Sequence, residues 1–157
     1  ETALFDKGRS LFNHGPAREA VGKGKPLILA EGYMDVIALA EAGFAAVAPL
    51  GTAVTEHQLA LAWRIADEPV IALDGDRAGI RAARRVVDLA LPLLEAGKGL
   101  RFATLPEGMD PDDLIRARGA PAMQAVLDQA RPMVSLLWQR ETEGRDFHSP
   151  ERKAALD

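Results

Sequence analysis

The chain has 157 residues, enough for one domain with a buried core and a small appendage. It contains no cysteine, which excludes disulfides, zinc–thiolate sites and thiol nucleophiles within this chain. The net charge of −4 argues on average against nucleic-acid binding, and the lack of a membrane-spanning or signal-peptide pattern predicts a cytoplasmic protein without a membrane partner.

The first 26 residues are predicted to be irregular. They contain two basic steps hinged by glycine, Lys7-Gly8-Arg9 and Lys23-Gly24-Lys25. Most loop lysines are simply solvated, but phosphate binding requires lysine or arginine beside a metal. We therefore treat residues 1–26 as a basic linker that precedes the first strand.

The first predicted strand, Leu27 to Ala30, is apolar throughout, as is typical of a strand buried on both faces. Glu31 follows it directly, and Asp35 falls in the first turn of a helix that runs to Ala42. An acid in a first turn favours the helix by about 0.3–1 kcal/mol, so Asp35 can be structural or functional. Glu31 caps nothing, which favours a functional role.

A second strand is predicted at Ala45 to Pro49, followed by a helix from Thr55 to about Ala66. Trp63 lies on the apolar stripe of this helix, which indicates a core residue rather than a base-stacking platform.

The third strand, Val70 to Leu73, ends in two acids, Asp74 and Asp76, separated by one glycine. The next helix is predicted from Arg77 to about Ala96, with a kink or break at Pro92. Its first half carries four arginines on roughly one face: Arg77, Arg81, Arg84 and Arg85. Cations in a first turn oppose the helix dipole, which suggests an anionic ligand for Arg77 and Arg81. Arg84 and Arg85 fit a solvated face equally well.

The fourth strand, Leu100 to Leu105, leads into a loop rich in aspartate. Asp110 is a natural helix cap before Pro111, and Asp113 suits the first helical turn. Capping explains one or two acids here, so we assign Asp113 to capping and Asp110 and Asp112 to function. Short helices are predicted to about Arg118, near Pro121 to Ala130, and from Pro132 to about Glu143.

Strands that alternate with helices predict an α/β fold, with a Rossmann-type sheet of four parallel strands flanked by helices and followed by a small helical segment. The acids then meet at the carboxyl edge of the sheet. Oxygen ligands without histidine or cysteine select Mg²⁺ or Mn²⁺ over zinc. Five or six carboxylates exceed the needs of one ion, so we expect two or more, about 3.5–4 Å apart as in two-metal enzymes.

Four sequence blocks make the chain recognisable. They are Glu31-Gly32-Tyr33-Met34-Asp35-Val36, Leu50-Gly51-Thr52, Asp74-Gly75-Asp76-Arg77-Ala78-Gly79 and Asp110-Pro111-Asp112. The acids after the strands resemble the Toprim fold of primases, topoisomerases and some nucleases. In their order and spacing the four blocks are similar to bacterial replicative primases of the DnaG type, and the resemblance runs from Lys7 to about residue 140. It implies a Toprim domain at residues 27–106, with an acidic-loop helix and the start of a truncated helical subdomain at 107–157.

The resemblance implies an RNA primer polymerase that acts on single-stranded DNA by metal-dependent nucleotidyl transfer. Its metal-binding acids would be Glu31, Asp35, Asp74, Asp76, Asp110 and Asp112, with Glu31, Asp74 and Asp76 catalytic. Lys7 and Arg9 match a basic motif of the family associated with nucleotide or template contact.

The expected partners are the template strand and ribonucleoside triphosphates, at the replication fork in the bacterial cytoplasm. The replicative helicase and single-strand binding protein would be reached through segments that this chain lacks. The start at Glu1 and the end just after Ser149-Pro150-Glu151 indicate a piece of a longer protein without its zinc-binding domain. We therefore expect weak or no primer synthesis by this chain alone.

Three alternatives remain. A Toprim nuclease or topoisomerase would use the same metal chemistry, although a topoisomerase needs a tyrosine nucleophile and Tyr33 is the only tyrosine. An aspartyl-phosphate phosphatase would use Asp74 as its nucleophile. In that class of enzyme the nucleophilic aspartate belongs to the leading strand, whereas Asp74 follows the third predicted strand. A non-catalytic interaction module would use these acids only as helix caps.

Overall fold

A computed structural model describes residues 10–49, 53–75, 77–133 and 135. The helices are α1 (His14–Gly22), α2 (Tyr33–Glu41), α3 (Glu56–Ile65), α4 (Arg77–Ala90), α5 (Pro111–Arg118) and α6 (Ala120–Asp128). The strands are β1 (Leu27–Leu29), β2 (Ala45–Val47), β3 (Val70–Leu73), β4 (Arg101–Thr104) and β5 (Arg131–Pro132). Strands and helices alternate along most of the chain, which confirms the α/β class.

The strands form one sheet in the order β2-β1-β3-β4-β5. The four predicted strands are all parallel, with Ile28 opposite Val70 and Val70 opposite Arg101. The fifth strand is a correction to the four-stranded prediction, because β5 adds antiparallel to β4. Pro132, where a helix was predicted to begin, instead lies opposite Arg101 in this pairing.

Each face of the sheet buries its own core because alternate residues of a strand point to opposite faces. Leu29 and Ile71 pack with Trp63 of α3 on one face. Ile28 packs with Val36 of α2 on the other face. The two-sided burial predicted for β1 and the core position predicted for Trp63 are both confirmed.

The first helix corrects the prediction that residues 1–26 are irregular, since α1 occupies residues 14–22. Gly15 and Pro16 disguise it in the sequence, yet both lie in the first turn, where proline has no helical hydrogen bond to lose. Ala17 is buried on this helix, and the preceding segment pairs with the outer edge of β2 through Phe12 N–H and the Ala48 carbonyl, 2.8 Å apart.

Local signals set the other helix ends much as predicted. Thr55 and Gln58 form a reciprocal capping box at the start of α3, and Gly43 ends α2 with a φ of 95°. The long helix breaks at Pro92, where α4 gives way to a 3₁₀ turn over Leu91–Leu93. Among the described helices none is both long and apolar enough to cross a membrane. The division of the chain at residues 26 and 106 stays a prediction.

Candidate functional site

The carboxyl ends of three adjacent strands carry the acids that the sequence singled out. Glu31 follows β1 after one residue, Asp74 follows β3 directly, and Asp110 ends the loop after β4. Because β2 and β3 lie on opposite sides of β1, the order of the strands reverses direction between β1 and β3. Open α/β sheets bind ligands at such a switch point, and Glu31 and Asp74 lie on either side of it.

Asp35 is the most unusual of these acids, because its side chain is ionisable and yet only 7% exposed. It lies in the first turn of α2, and its Oδ1 accepts a hydrogen bond of 3.1 Å from the backbone N–H of Asp112. Burial raises the pKa of Asp35 from 3.8 to about 7. The hydrogen bond from Asp112 lowers this pKa, while the charges of Asp110, Asp74 and Asp112 raise it further.

The acids of the β4–α5 loop divide between capping and other contacts. Asp110 Oδ1 accepts from the Asp113 N–H at 2.8 Å, and Asp113 Oδ2 accepts from the Asp110 N–H at 3.2 Å. This reciprocal box confirms the capping role predicted for Asp113 and also engages one oxygen of Asp110. Asp112 instead forms an ion pair with an arginine, since its Oδ1 lies 3.3 Å from Nε of Arg116.

Two glycines allow the turn that contains Asp74 to pack closely against its neighbours. A Cβ on Gly75 would collide with the carbonyl oxygen of Leu105 and lie 2.6 Å from that of Pro106. A Cβ on Gly79 would collide with the carbonyl oxygen of Asp74 itself. The turn after β3 therefore packs directly on the end of β4, and the first turn of α4 packs directly on Asp74.

Several predicted site residues lie outside the described part of the chain. These are Lys7, Arg9, Asp76 and the side chain of Arg77. Arg81 is described: it lines a cavity of about 870 Å³ beside Glu31. Arg85, which the sequence left undecided, lines the same cavity, and its only sequence signal is a spacing of four residues from Arg81.

The structure brings the described acids to one edge without showing a finished metal centre. Within residues 10–49, 53–75 and 77–133, no three acidic or histidine side chains are grouped closely enough to hold an ion. The set nevertheless suits a divalent cation, because carboxylate oxygens are what Mg²⁺ and Mn²⁺ prefer and because burial and the neighbouring acids together keep the pKa of Asp35 raised. Mg²⁺ also keeps several waters, so it needs few protein ligands.

A mostly parallel sheet with acids gathered at its switch point defines the class of this protein, and comparison with known families agrees. The model of the Toprim-like family matches residues 28–115. The chain belongs to this Toprim-like family.

Within that family, the similar proteins are DNA primases. The chain is 43% identical to the DNA primase of Rickettsia felis over 158 aligned positions, covering 100% of this chain and 27% of that protein. A crystal structure of a DNA primase domain from Pseudomonas aeruginosa superimposes with a TM-score of 0.88 at 41% identity, covering 99% of this chain and 49% of that one. A structure of the DnaG primase catalytic domain bound to single-stranded DNA superimposes with a TM-score of 0.84 at 40% identity. This match covers 99% of this chain and 51% of that one.

The resemblance to primases of the DnaG type is therefore confirmed along the whole chain, and the nuclease, topoisomerase, phosphatase and interaction-module alternatives are not favoured. The chain spans about a quarter of the curated relatives and about half of the similar catalytic-domain structures.

Proposed function

We propose that this chain forms the metal-binding half of a primase catalytic core, which makes short RNA primers on single-stranded DNA. The observation that carries the proposal is the excess of negative charge at the carboxyl edge. A buried Asp35 with a pKa raised to about 7 by burial and by three neighbouring acids is unfavourable for the folded chain on its own. A bound divalent cation would remove that disadvantage.

The ions are Mg²⁺ or Mn²⁺, two or more of them, and not zinc. When bound, they would stabilise negative charge on the attacking and leaving oxygens of nucleotidyl transfer. Glu31, Asp74 and Asp76 would hold them at the switch point and are the catalytic acids of the proposal. Asp35, Asp110 and Asp112 would hold ions from the side of α5, which rests against α2 through the Asp35–Asp112 hydrogen bond.

The basic residues would bind the anionic partners. Lys7, Arg9, Arg77 and Arg81 are proposed to contact the nucleotide phosphates or the template backbone, since arginine forks match phosphate geometry. The net charge of −4 makes such local placement necessary, because the chain as a whole repels nucleic acid.

The partners of the proposal are single-stranded DNA and ribonucleoside triphosphates. The similar catalytic domain that binds single-stranded DNA supports the first of these. The helicase and the single-strand binding protein would be contacted outside this chain, at the replication fork in the cytoplasm. Because the chain spans only part of its relatives, we expect little primer synthesis from it alone.

A chimera tests the function directly. The matching segment of the Pseudomonas aeruginosa primase is replaced by this chain, and template-dependent synthesis of RNA primers is measured with Mg²⁺. We expect the chimera to make primers and an Asp74→Asn chimera to make none. The matched control is Asp128→Asn, which neutralises an exposed acid of α6 away from the carboxyl edge.

Full activity of the Asp74→Asn chimera would contradict the assignment of the carboxyl edge as the catalytic site. Equal loss in the Asp128→Asn control would show that the assay reports general damage rather than the loss of a metal ligand.

A further inference from the structure

We propose that Gln58 is a positioning residue, which holds the chain directly after Lys7 and Arg9 at the carboxyl edge of the sheet. It thereby strengthens the contact of these two basic residues with the anionic substrates. This inference rests on the proposed function, which gives Lys7 and Arg9 that contact, and it adds the residue that acts through them. The structural argument uses only the described residues from Ser10 onward.

Gln58 is a polar residue in the core, since it is 0% exposed. Its Oε1 accepts a hydrogen bond of 2.9 Å from the Thr55 N–H, which is its half of the capping box of α3. Its Nε2 donates a hydrogen bond of 2.9 Å to the carbonyl of Ser10, 48 residues earlier in the chain. A capping box needs only the acceptor, and glutamate supplies one as well as glutamine does. The amide donor of Gln58 is therefore explained by Ser10 and not by the helix.

The segment that Gln58 holds lies along the outer side of β2 and points toward the acidic edge. Phe12 forms an antiparallel bridge with Ala48, so Ser10 lies beyond the carboxyl end of β2. Leu11 and Phe12 fix this segment by packing against the cores on opposite faces of the sheet. The helix α3 also begins at the carboxyl edge, because it follows β2. The hydrogen bond between Gln58 and Ser10 thus lies at the same edge of the sheet as the described acids.

The position of Ser10 limits where the two basic side chains can reach. Arg9 and Lys7 come one and three residues before it, and a chain spans at most about 3.3–3.6 Å per residue. Ordering a free chain end on a ligand costs conformational entropy, and a fixed anchor next to the binding residues reduces that cost. Loss of the anchor should therefore weaken substrate binding and leave the chemical step unchanged.

Primer synthesis by the chimera described above tests the inference, with KM and kcat measured for ribonucleoside triphosphates and for the single-stranded template. A Lys7→Ala, Arg9→Ala chimera shows which substrate the basic motif binds, and we expect the KM for that substrate to rise about tenfold or more. Gln58→Met keeps the length of the buried side chain and removes its donor. It should raise the same KM about fivefold, the effect of one hydrogen bond, with kcat changed less than about twofold. In a chimera that already lacks Lys7 and Arg9 it should have no further effect.

Thr55→Ala is the matched control, because it removes the hydroxyl that accepts from the Gln58 N–H at 3.2 Å and leaves the amide on Ser10 in place. It should lower the midpoint of thermal denaturation by a few degrees and leave both KM values unchanged. Gln58→Glu keeps an acceptor for the Thr55 N–H and has no amide donor. It is the second variant should Gln58→Met fail to fold, and it should raise the same KM.

The inference is wrong if the folded variant of Gln58 keeps both KM values, or if Thr55→Ala raises them equally. It is also wrong if Gln58→Met still raises KM where Lys7 and Arg9 are already replaced, because Gln58 would then act through other residues. Normal KM values in the Lys7→Ala, Arg9→Ala chimera would instead count against the binding role of the basic residues in the proposed function, and the inference would fail with it.

Discussion

Asp35 and Asp110 are both acids at the start of a helix, yet the structure treats them in opposite ways. Asp110 caps its own helix, and one of its oxygens satisfies a free backbone N–H at 2.8 Å. Asp35 is buried beside other acids, and its pKa is raised to about 7 mainly by that burial. The difference teaches that capping explains an acid at a helix start only where its carboxylate accepts a hydrogen bond from the backbone of that same helix.

The largest expected effect comes from Gly79→Ala, which tests whether the carboxyl edge requires the close approach of α4 to Asp74. The added Cβ would collide with the Asp74 carbonyl oxygen, so the first turn of α4 or the turn after β3 must move. We expect a loss of stability on the order of 3 kcal/mol or more, together with loss of Mn²⁺ binding. Chemical denaturation and calorimetry measure the two effects.

Gly22→Ala serves as the control for this substitution, because nothing lies within 4 Å of a Cβ there. It should be neutral or stabilising by about 0.5–1 kcal/mol. Normal stability and metal binding in Gly79→Ala would show that the close approach of α4 to Asp74 is not required.

Asp35→Asn tests the contrast between Asp35 and Asp110 through the pH dependence of stability. Because the folded pKa of Asp35 lies above its ordinary value of 3.8, the folded state binds more protons between that value and about 7. At acidic pH, where the carboxyl is protonated in both states, Asp35 therefore does not lower the free energy of unfolding. As pH rises through this window, it lowers the free energy of unfolding progressively. Without metal, the stabilisation by Asp35→Asn should grow by on the order of 2–3 kcal/mol between pH 5 and pH 8.

Denaturation at the two pH values measures this effect, and Asp128→Asn provides the baseline for loss of an exposed carboxylate. Saturating Mn²⁺ should reverse the sign at pH 8, since the ionised Asp35 would then be favourable. A gain from Asp35→Asn that does not depend on pH would contradict the raised pKa.

Asp110→Ala should have the opposite sign. It removes the acceptor of the Asp113 N–H and should destabilise the chain by about 1 kcal/mol, the usual effect of losing a helix cap. Thermal denaturation measures this loss. A gain in stability from Asp110→Ala would contradict the capping role and remove the contrast with Asp35.

Arg116→Ala is expected to have the smallest effect. Its side chain is 69% exposed and pairs with Asp112 at 3.3 Å and with Asp113 at 3.2 Å. Exposed ion pairs contribute little, so the loss should be below about 0.5 kcal/mol. A loss of more than 1 kcal/mol in denaturation at 0.15 M salt would show that Arg116 organises the acidic loop.

Sequence reasoning succeeded where short-range signals decide the structure. Pro111 marked the start of α5, Pro92 marked the break after α4, and apolar runs marked the four parallel strands. The predicted continuation of that helix to about Ala96 was wrong, because the chain leaves the 3₁₀ turn at Leu93. The same reasoning placed the acids at the carboxyl edge, because parallel strands bring their ends together.

Longer-range contacts decided what the sequence could not predict. The pairing of β5 depends on β4, about 30 residues earlier, and no local pattern of two residues reveals it. Burial of Asp35 results from packing between α2 and α5, which lie far apart in the chain. The cavity beneath Arg85 likewise exists only after β1, β3 and α4 have come together.

The most direct measurement is calorimetric titration of the chain with Mn²⁺ at pH 7, in two buffers with different heats of ionisation, beside an Asp74→Asn, Asp76→Asn double variant. We predict saturable binding accompanied by release of protons, because a carboxyl with a pKa of about 7 must ionise as the cation binds. The double variant should lose this binding, and Asp128→Asn should retain it. Equal and negligible binding by the chain and the double variant would contradict the assignment of the carboxyl edge as a metal site.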